Sequence, residues 1–134
     1  MKEERTFKAA VFTTDGELKM VNLPHKDWFS KTKEMLNINT ADLPRRTING
    51  MVFDFLCDDE GLFNNPQPTL ISDKGEVLLV GDIAIFHPCD VDMEGNEIMY
   101  DLTEEEFNHI KKCLTILYSA QFGVIGAIAG GDYE

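Results

Sequence analysis

Val77-Leu78-Leu79-Val80-Gly81-Asp82-Ile83-Ala84-Ile85-Phe86 is the most hydrophobic stretch of this chain, and a glycine and a carboxylate break it in the middle. It is too short for a membrane helix, which takes roughly 20 apolar residues. Its branched and aromatic side chains fit a buried strand. Gly81-Asp82 then predicts a bulge or a sharp bend, as where a sheet turns a barrel corner. Burying Asp82 is costly unless it is hydrogen-bonded. It is expected to accept turn N–H groups, with contact to a ligand as the sharper alternative.

Other strands can be read outward from this one. Thr6 to Thr13 alternates, with Phe7, Ala9 and Val11 on one face and Lys8, Ala10 and Phe12 on the other. Asp15-Gly16 supplies a tight turn, Glu17 to Leu23 alternates again, and Pro24 closes a hairpin. Ile48 to Cys57 reads as a strand with Met51, Phe53, Phe55 and Cys57 on one face and Val52 and Leu56 on the other. Apolar residues on both faces predict a central strand covered twice. Asp58 to Pro68 is a polar loop, Thr69 to Ser72 a short strand, and Asp73-Lys74-Gly75 and 93–97 are turns.

Two helices are expected. Asp27 is placed to cap one over Trp28 to Leu36, with Trp28, Phe29, Met35 and Leu36 on its apolar stripe. The turn-prone segment 37–46, with Pro44, ends it. Thr103-Glu104-Glu105-Glu106 is a capping-box pattern and opens a helix over about 103–120. That helix should bury Phe107, Ile110, Leu114 and Leu117 and expose His109, Lys111 and Lys112. The tail, 122–134, is apolar and rich in glycine. It is expected to pack as a last strand, with a docking segment for a second subunit as the alternative. The fold class is therefore α+β: a strongly bent antiparallel sheet or small partly open β-barrel with two packed helices. With 134 residues, one domain over 1–134 is expected, burying roughly two-thirds of its unfolded surface.

Charge narrows the function classes. The net charge is −12, and residues 68–134 carry 13 acidic and 3 basic side chains. Phosphate recognition wants a basic patch, so direct binding to nucleic acid is not expected. An acidic face would dock on a basic partner; its bland counterpart is solubility. The charged start at Met1-Lys2-Glu3 is not the pattern of a secretory leader, and the expected compartment is the cytoplasm. Three cysteines without a Cys-x-x-Cys pair read as free thiols.

No residue set amounts to a catalytic signature. Asp58, Asp59 and Glu60 could offer oxygens to a divalent cation, but their spacing is not that of an EF-hand, and a solvated turn is the plainer reading. His87, Cys89, Asp90 and Asp92 mix ligands that suit zinc, yet no second ligand cluster accompanies them. Phosphate-binding, serine-hydrolase and zinc-protease motifs are absent from the sequence. No cofactor is implied.

Ile48-Asn49-Gly50 and the strand after it, Asp58-Asp59-Glu60-Gly61-Leu62, Asn65-Pro66 and Val80-Gly81-Asp82-Ile83 together resemble a family of phages, prophages and conjugative elements. That family is catalogued as domain of unknown function 3846. The resemblance covers roughly Thr6 to Phe86, with the Thr103 helix as an extension. It implies a small accessory protein of a mobile element, without catalytic residues to carry over.

The leading expectation is a non-enzymatic acidic binding protein acting on a host protein, for instance in counter-defence, with Asp101, Glu104 and Glu105 at the interface. The alternative is a protein that sequesters a small molecule or nucleotide signal through Asp58, Asp59, Glu60, Asn64, Asn65 and Asp82. A small metal-dependent hydrolase using the His87 cluster is the third.

Overall fold

The computed structural model describes residues 5–60, 67–72, 74, 76–121 and 123–129. Strands β1 (Thr6–Phe12) and β2 (Leu18–Pro24) form the expected hairpin, with Gly16 at φ 85. Then come helix α1 (Trp28–Met35), β3 (Ala41–Asp42), β4 (Arg45–Ile48), β5 (Met51–Asp58), β6 (Pro68–Ile71), β7 (Val77–Val80) and β8 (Ile83–Phe86). The small pair β9 (Asp90–Val91) and β10 (Glu97–Ile98) precedes helix α2 (Glu104–Cys113) and strands β11 (Leu114–Ser119) and β12 (Gly123–Ala129). The α+β class holds, with a mostly sheet core, and the sheets do not close into a barrel.

The larger sheet runs β2-β1-β8-β5, with β3 and β4 side by side on the outer edge of β5. Pro44 separates those two short strands, and its carbonyl still accepts the Phe55 N–H at 2.9 Å. Proline is tolerated there because an outer strand needs only one ladder. The smaller sheet runs β11-β12-β6-β7 and is antiparallel except for the β12–β6 pair. The glycine in the opening stretch makes the join: β7 lies in the smaller sheet, Gly81 turns at φ 74, and β8 enters the larger one. The expected bend is therefore a change of sheet.

Alternation along the strands builds two cores. Ala10, Phe12, Phe53, Phe55, Ile83 and Ile85 face the smaller sheet and Ile110 of α2. Phe7, Ala9, Val11, Leu56, Ala84 and Phe86 face Trp28 of α1 on the other side. Strand β5 is covered on both faces from Phe53 to Cys57, as its sequence predicts, whereas Val52, expected on the second apolar face with Leu56, is exposed. Phe53 and Phe55 are fully buried, and truncating such a ring costs about 3–5 kcal/mol.

Four local expectations are corrected. The strand expected over 48–57 is in fact the second arm of a hairpin: Ile48 ends β4, and Asn49-Gly50 turns with φ 43 and 88. Asp27 precedes α1 in a left-handed conformation and its side chain makes no cap hydrogen bond. On α1 itself Met35 is exposed, while Thr32 is buried with its hydroxyl donating to the Trp28 carbonyl at 2.6 Å. Finally, α2 stops at Cys113, and Leu114 and Leu117 belong to β11. Thr115, Ile116 and Tyr118 favour extended backbone, and the ladder to β12 secures it.

The tail residues 123–129 form β12, flanked by β11 and β6; Phe122 and residues 130–134 lie outside the described residues. Among the described residues no helix is long and apolar enough to cross a membrane.

Candidate functional site

From residue 75 to residue 110 the sequence contains no Lys or Arg, while 90–106 carries eight carboxylates. The structure folds this acidic run into the β9–β10 hairpin and the first turn of α2. Asp92 shapes the hairpin: its Oδ1 accepts the N–H groups of Glu94 and Asn96 at 2.9 and 2.8 Å. Those bonds, the one to Asn96 foremost, hold the Asp92 carboxyl below its usual range. Gly95, at φ 85, makes the turn.

The run is anchored along its length. Trp28 Nε1 donates to Glu97 at 3.0 Å, and the Tyr100 hydroxyl donates to Asp90 at 3.1 Å. The Asp90 carboxylate thereby raises the Tyr100 pKa. Lys8 N–H donates to Asp101 at 2.8 Å, and Leu102 N–H returns to the Lys8 carbonyl at 2.8 Å. The capping box expected at Thr103 is present in both directions: Glu106 N–H donates to the threonine hydroxyl, and Thr103 N–H donates to the Glu106 carboxylate. Glu106 also binds His87 Nδ1 at 2.9 Å, tying α2 to the end of β8.

What remains outside is a surface of mixed character. Asp90, Asp92, Glu94, Glu97, Asp101, Glu104 and Glu105 are exposed. Among them stand Val91, Met93, Ile98 and Tyr100, with Met93 fully open to solvent. Val91 pairs with Glu97 and Ile98 with Asp90, so these two apolar side chains stand on opposite faces of the hairpin. Of the three residues expected at an interface, Glu104 and Glu105 are free of structural duties in the first turn of α2, where acids also suit the helix dipole. Asp101 is exposed but holds the strap to β1.

The expected ligand set is only partly described. Asp58 ends β5 and its Oδ1 accepts the Glu60 N–H at 2.9 Å, while Asp59 N–H donates to the Thr40 carbonyl. Asp82 accepts the Thr14 N–H at 2.9 Å, so the carboxylate beside Gly81 clasps the β1–β2 turn. Asn64 and Asn65, like Gly61, Leu62 and Pro66, lie outside the described residues.

The His87 cluster divides between two partners. His87 turns to Glu106, whereas the Cys89 thiol donates to Asp54 at 3.2 Å. Asp54 is the polar residue that sequence reading missed. It sits on β5 between two buried phenylalanines, only 3% exposed. Arg45 Nε and Nη2 reach its two oxygens at 2.8 and 3.1 Å, and the Cys89 N–H adds a bond at 2.9 Å. Burial pushes the Asp54 carboxyl up, but these donors outweigh it and hold the pKa below the usual range. Burial first, then Asp54, pushes the Cys89 thiol up to about 11. Such a thiol is a poor nucleophile at neutral pH. Among the described residues no three His, Cys, Asp or Glu side chains group to hold a metal ion.

His109, expected to be exposed, is partly buried, and so is His25. His109 Nε2 lies 2.8 Å from the Ile48 carbonyl, with its ring against Phe53, and His25 packs edge-on to Phe7. The carbonyl can only accept, so His109 Nε2 carries the proton in that contact. That leaves it no lone pair with which to activate Cys113, 3.7 Å away. His25 lines an open cleft of about 370 Å³ with Arg5, Thr6, Phe7, Met99, Tyr100 and Asp101. No family model matches this chain, and no curated protein or solved structure does either.

Proposed function

We propose that this chain is a non-enzymatic acidic binding protein that docks on a basic surface of a host protein. The resemblance to a mobile-element family gives the setting, and a defence component of the host is a partner of the right kind. The observation that carries the reading is the combination on the β9–β10 hairpin and the α2 start. Seven exposed carboxylates there alternate along the chain with exposed Val91, Met93, Ile98 and Tyr100, in a stretch without Lys or Arg. The carboxylates steer a basic partner and reject acidic ones, and the apolar side chains supply the area that becomes buried. Anchoring through Trp28, Lys8 and His87 keeps the surface in shape before binding, which lowers the ordering cost.

The test uses the full chain as bait in a lysate of its source cells, then the purified partner in calorimetry. Glu94, Glu104 and Glu105 are replaced together by Lys, and Met93 by Ala in a second variant. The triple reversal is expected to weaken binding roughly a hundredfold, and binding of the original chain to fall steeply with salt. Unchanged affinity in the triple variant would sink the proposal.

A small-ligand reading is favoured by one other observation. In a strongly acidic chain, Arg5 and His25 share the 370 Å³ cleft with the exposed ring of Tyr100. That cleft, rather than the Asp58 loop, suits a planar anion such as a nucleotide. Calorimetric titration with nucleoside mono- and diphosphates tests it, and flat traces reject it.

A further inference from the structure

Among the described residues the two larger sheets end in four outer edges, and three of them are guarded against pairing with another chain. Strand β2 carries Lys19 and ends in Pro24; β3 and β4 are split by Pro44 and carry Asp42, Arg45 and Arg46; β7 is four residues long. Charges, proline and shortness are the usual protections of a sheet edge. Strand β11, Leu114-Thr115-Ile116-Leu117-Tyr118-Ser119, has none of them. Among the described residues it pairs with β12 alone. The one bulge in that ladder skips a residue of β12, between Gly126 and Val124, so the outward edge of β11 stays regular.

Two more observations bear on what would cover it. Ile116 and Tyr118 are 41% and 75% exposed, and being two apart they share a face. The strand also lies in a run, residues 113–131, without a single charged side chain, although the chain as a whole carries −12. Two like-charged molecules can approach there without setting carboxylate against carboxylate. Charges farther off are screened beyond about 8 Å at physiological salt.

We propose that β11 is the pairing edge for a second copy of this chain, antiparallel and centred on Leu117, joining the two smaller sheets into one continuous sheet. A twofold axis through the sheet requires that residues facing each other lie on one face. Centring on Leu117 meets that condition and sets Ile116 opposite Tyr118 of the second copy, twice by symmetry. Branched–aromatic pairs of this kind are the favourable cross-strand units. A self-complementary strand of this kind is what a twofold interface asks for. The dimer is a weak one, since a single strand contributes its backbone.

Sedimentation equilibrium of the full chain across roughly 1–500 µM tests it. The expected result is a monomer–dimer equilibrium in that range. Tyr118→Lys, at a position too exposed to upset the fold, should raise the dissociation constant at least roughly tenfold. An equimolar mixture of Ile116→Glu and Tyr118→Lys should dimerise more tightly than either alone, because the stated register sets the introduced carboxylate of one variant against the introduced ammonium of the other. Circular dichroism verifies that each variant is folded. A chain that stays monomeric throughout the range, or a dimer indifferent to Tyr118→Lys, overturns the proposal. A mixture no tighter than its components overturns the register.

Discussion

Arg45 and Asp54 face each other across the β4–β5 ladder, with Nε of the arginine 2.8 Å from Oδ1 of the aspartate. The arginine is half exposed and the aspartate nearly closed off from solvent. The pair, with the Cys89 N–H, is how a carboxylate is accommodated between the buried rings of Phe53 and Phe55.

Replacing Asp54 by Asn should lower stability by about 1–3 kcal/mol at neutral pH, toward the smaller figure because Arg45 is half in water. The pH dependence follows from the depressed carboxyl. The ordinary chain's advantage over the variant is fully present above the unfolded carboxyl value of about 3.9. It is lost as pH falls through the lower folded-state value. Urea melts of both proteins between pH 2 and pH 7 should converge at the acid end; parallel curves would refute the coupling.

Cys89 should resist alkylation. With its pKa pushed up to about 11, its thiolate fraction at pH 8 is about a hundredfold or more below that of an ordinary thiol. Cys57, also raised to about 11 by burial and by Asp42, Asp58 and Asp59, should be equally slow. Asp54→Asn should speed Cys89 labelling severalfold and leave Cys57 untouched, because burial persists while the accepting carboxylate is gone. Peptide mapping after iodoacetamide treatment distinguishes the sites.

Thr103→Ala removes one arm of the capping box and should cost about 1 kcal/mol. Glu106→Ala removes the other arm and the contact to His87, and should cost more, about 2–3 kcal/mol. His87→Ala alone should fall between no change and the Glu106 value. Chemical denaturation orders the three; Thr103 exceeding Glu106 would contradict the shared role of that carboxylate.

Gly126→Ala should destabilise by about 1–3 kcal/mol. Gly126 has φ +145, and a Cβ there would stand 2.5 Å from Cδ1 and 3.2 Å from Cγ1 of Ile71. Ile71 is buried on β6, so it has little room to yield. A neutral substitution, seen as an unchanged thermal midpoint, would show that β12 does not press on β6.

Much of the architecture was legible wherever neighbours in sequence decide it. Alternation and Asp15-Gly16 were enough for the β1–β2 hairpin, and Gly81-Asp82 for the bend. The same logic was missed at Asn49-Gly50, the strongest kind of hairpin turn. Reading it as such would have set Arg45 opposite Asp54 and exposed the buried pair. Other features depend on distant partners. Leu114 and Leu117 continue a helical stripe, and only pairing with β12 makes them strand residues. Asp82 finds the Thr14 N–H 68 residues away. Glu106 could be named from its capping box, but not its bond to His87. The acidity of the second half was plain in the sequence; that Val91, Met93 and Tyr100 are exposed within it emerged only from the structure.

The parallel pairing of β12 with β6 sets an order of events during synthesis. Strand β6 is made about fifty residues ahead of the strand that will cover its inner edge. Until β12 emerges, the nascent chain shows that edge, and Leu70 lacks part of its packing. Long-range pairings of this sort form late, and partly folded chains with open edges are prone to aggregate. The interval between β6 and β12 leaving the ribosome is thus when the β6 edge is most open to pairing with a stray strand.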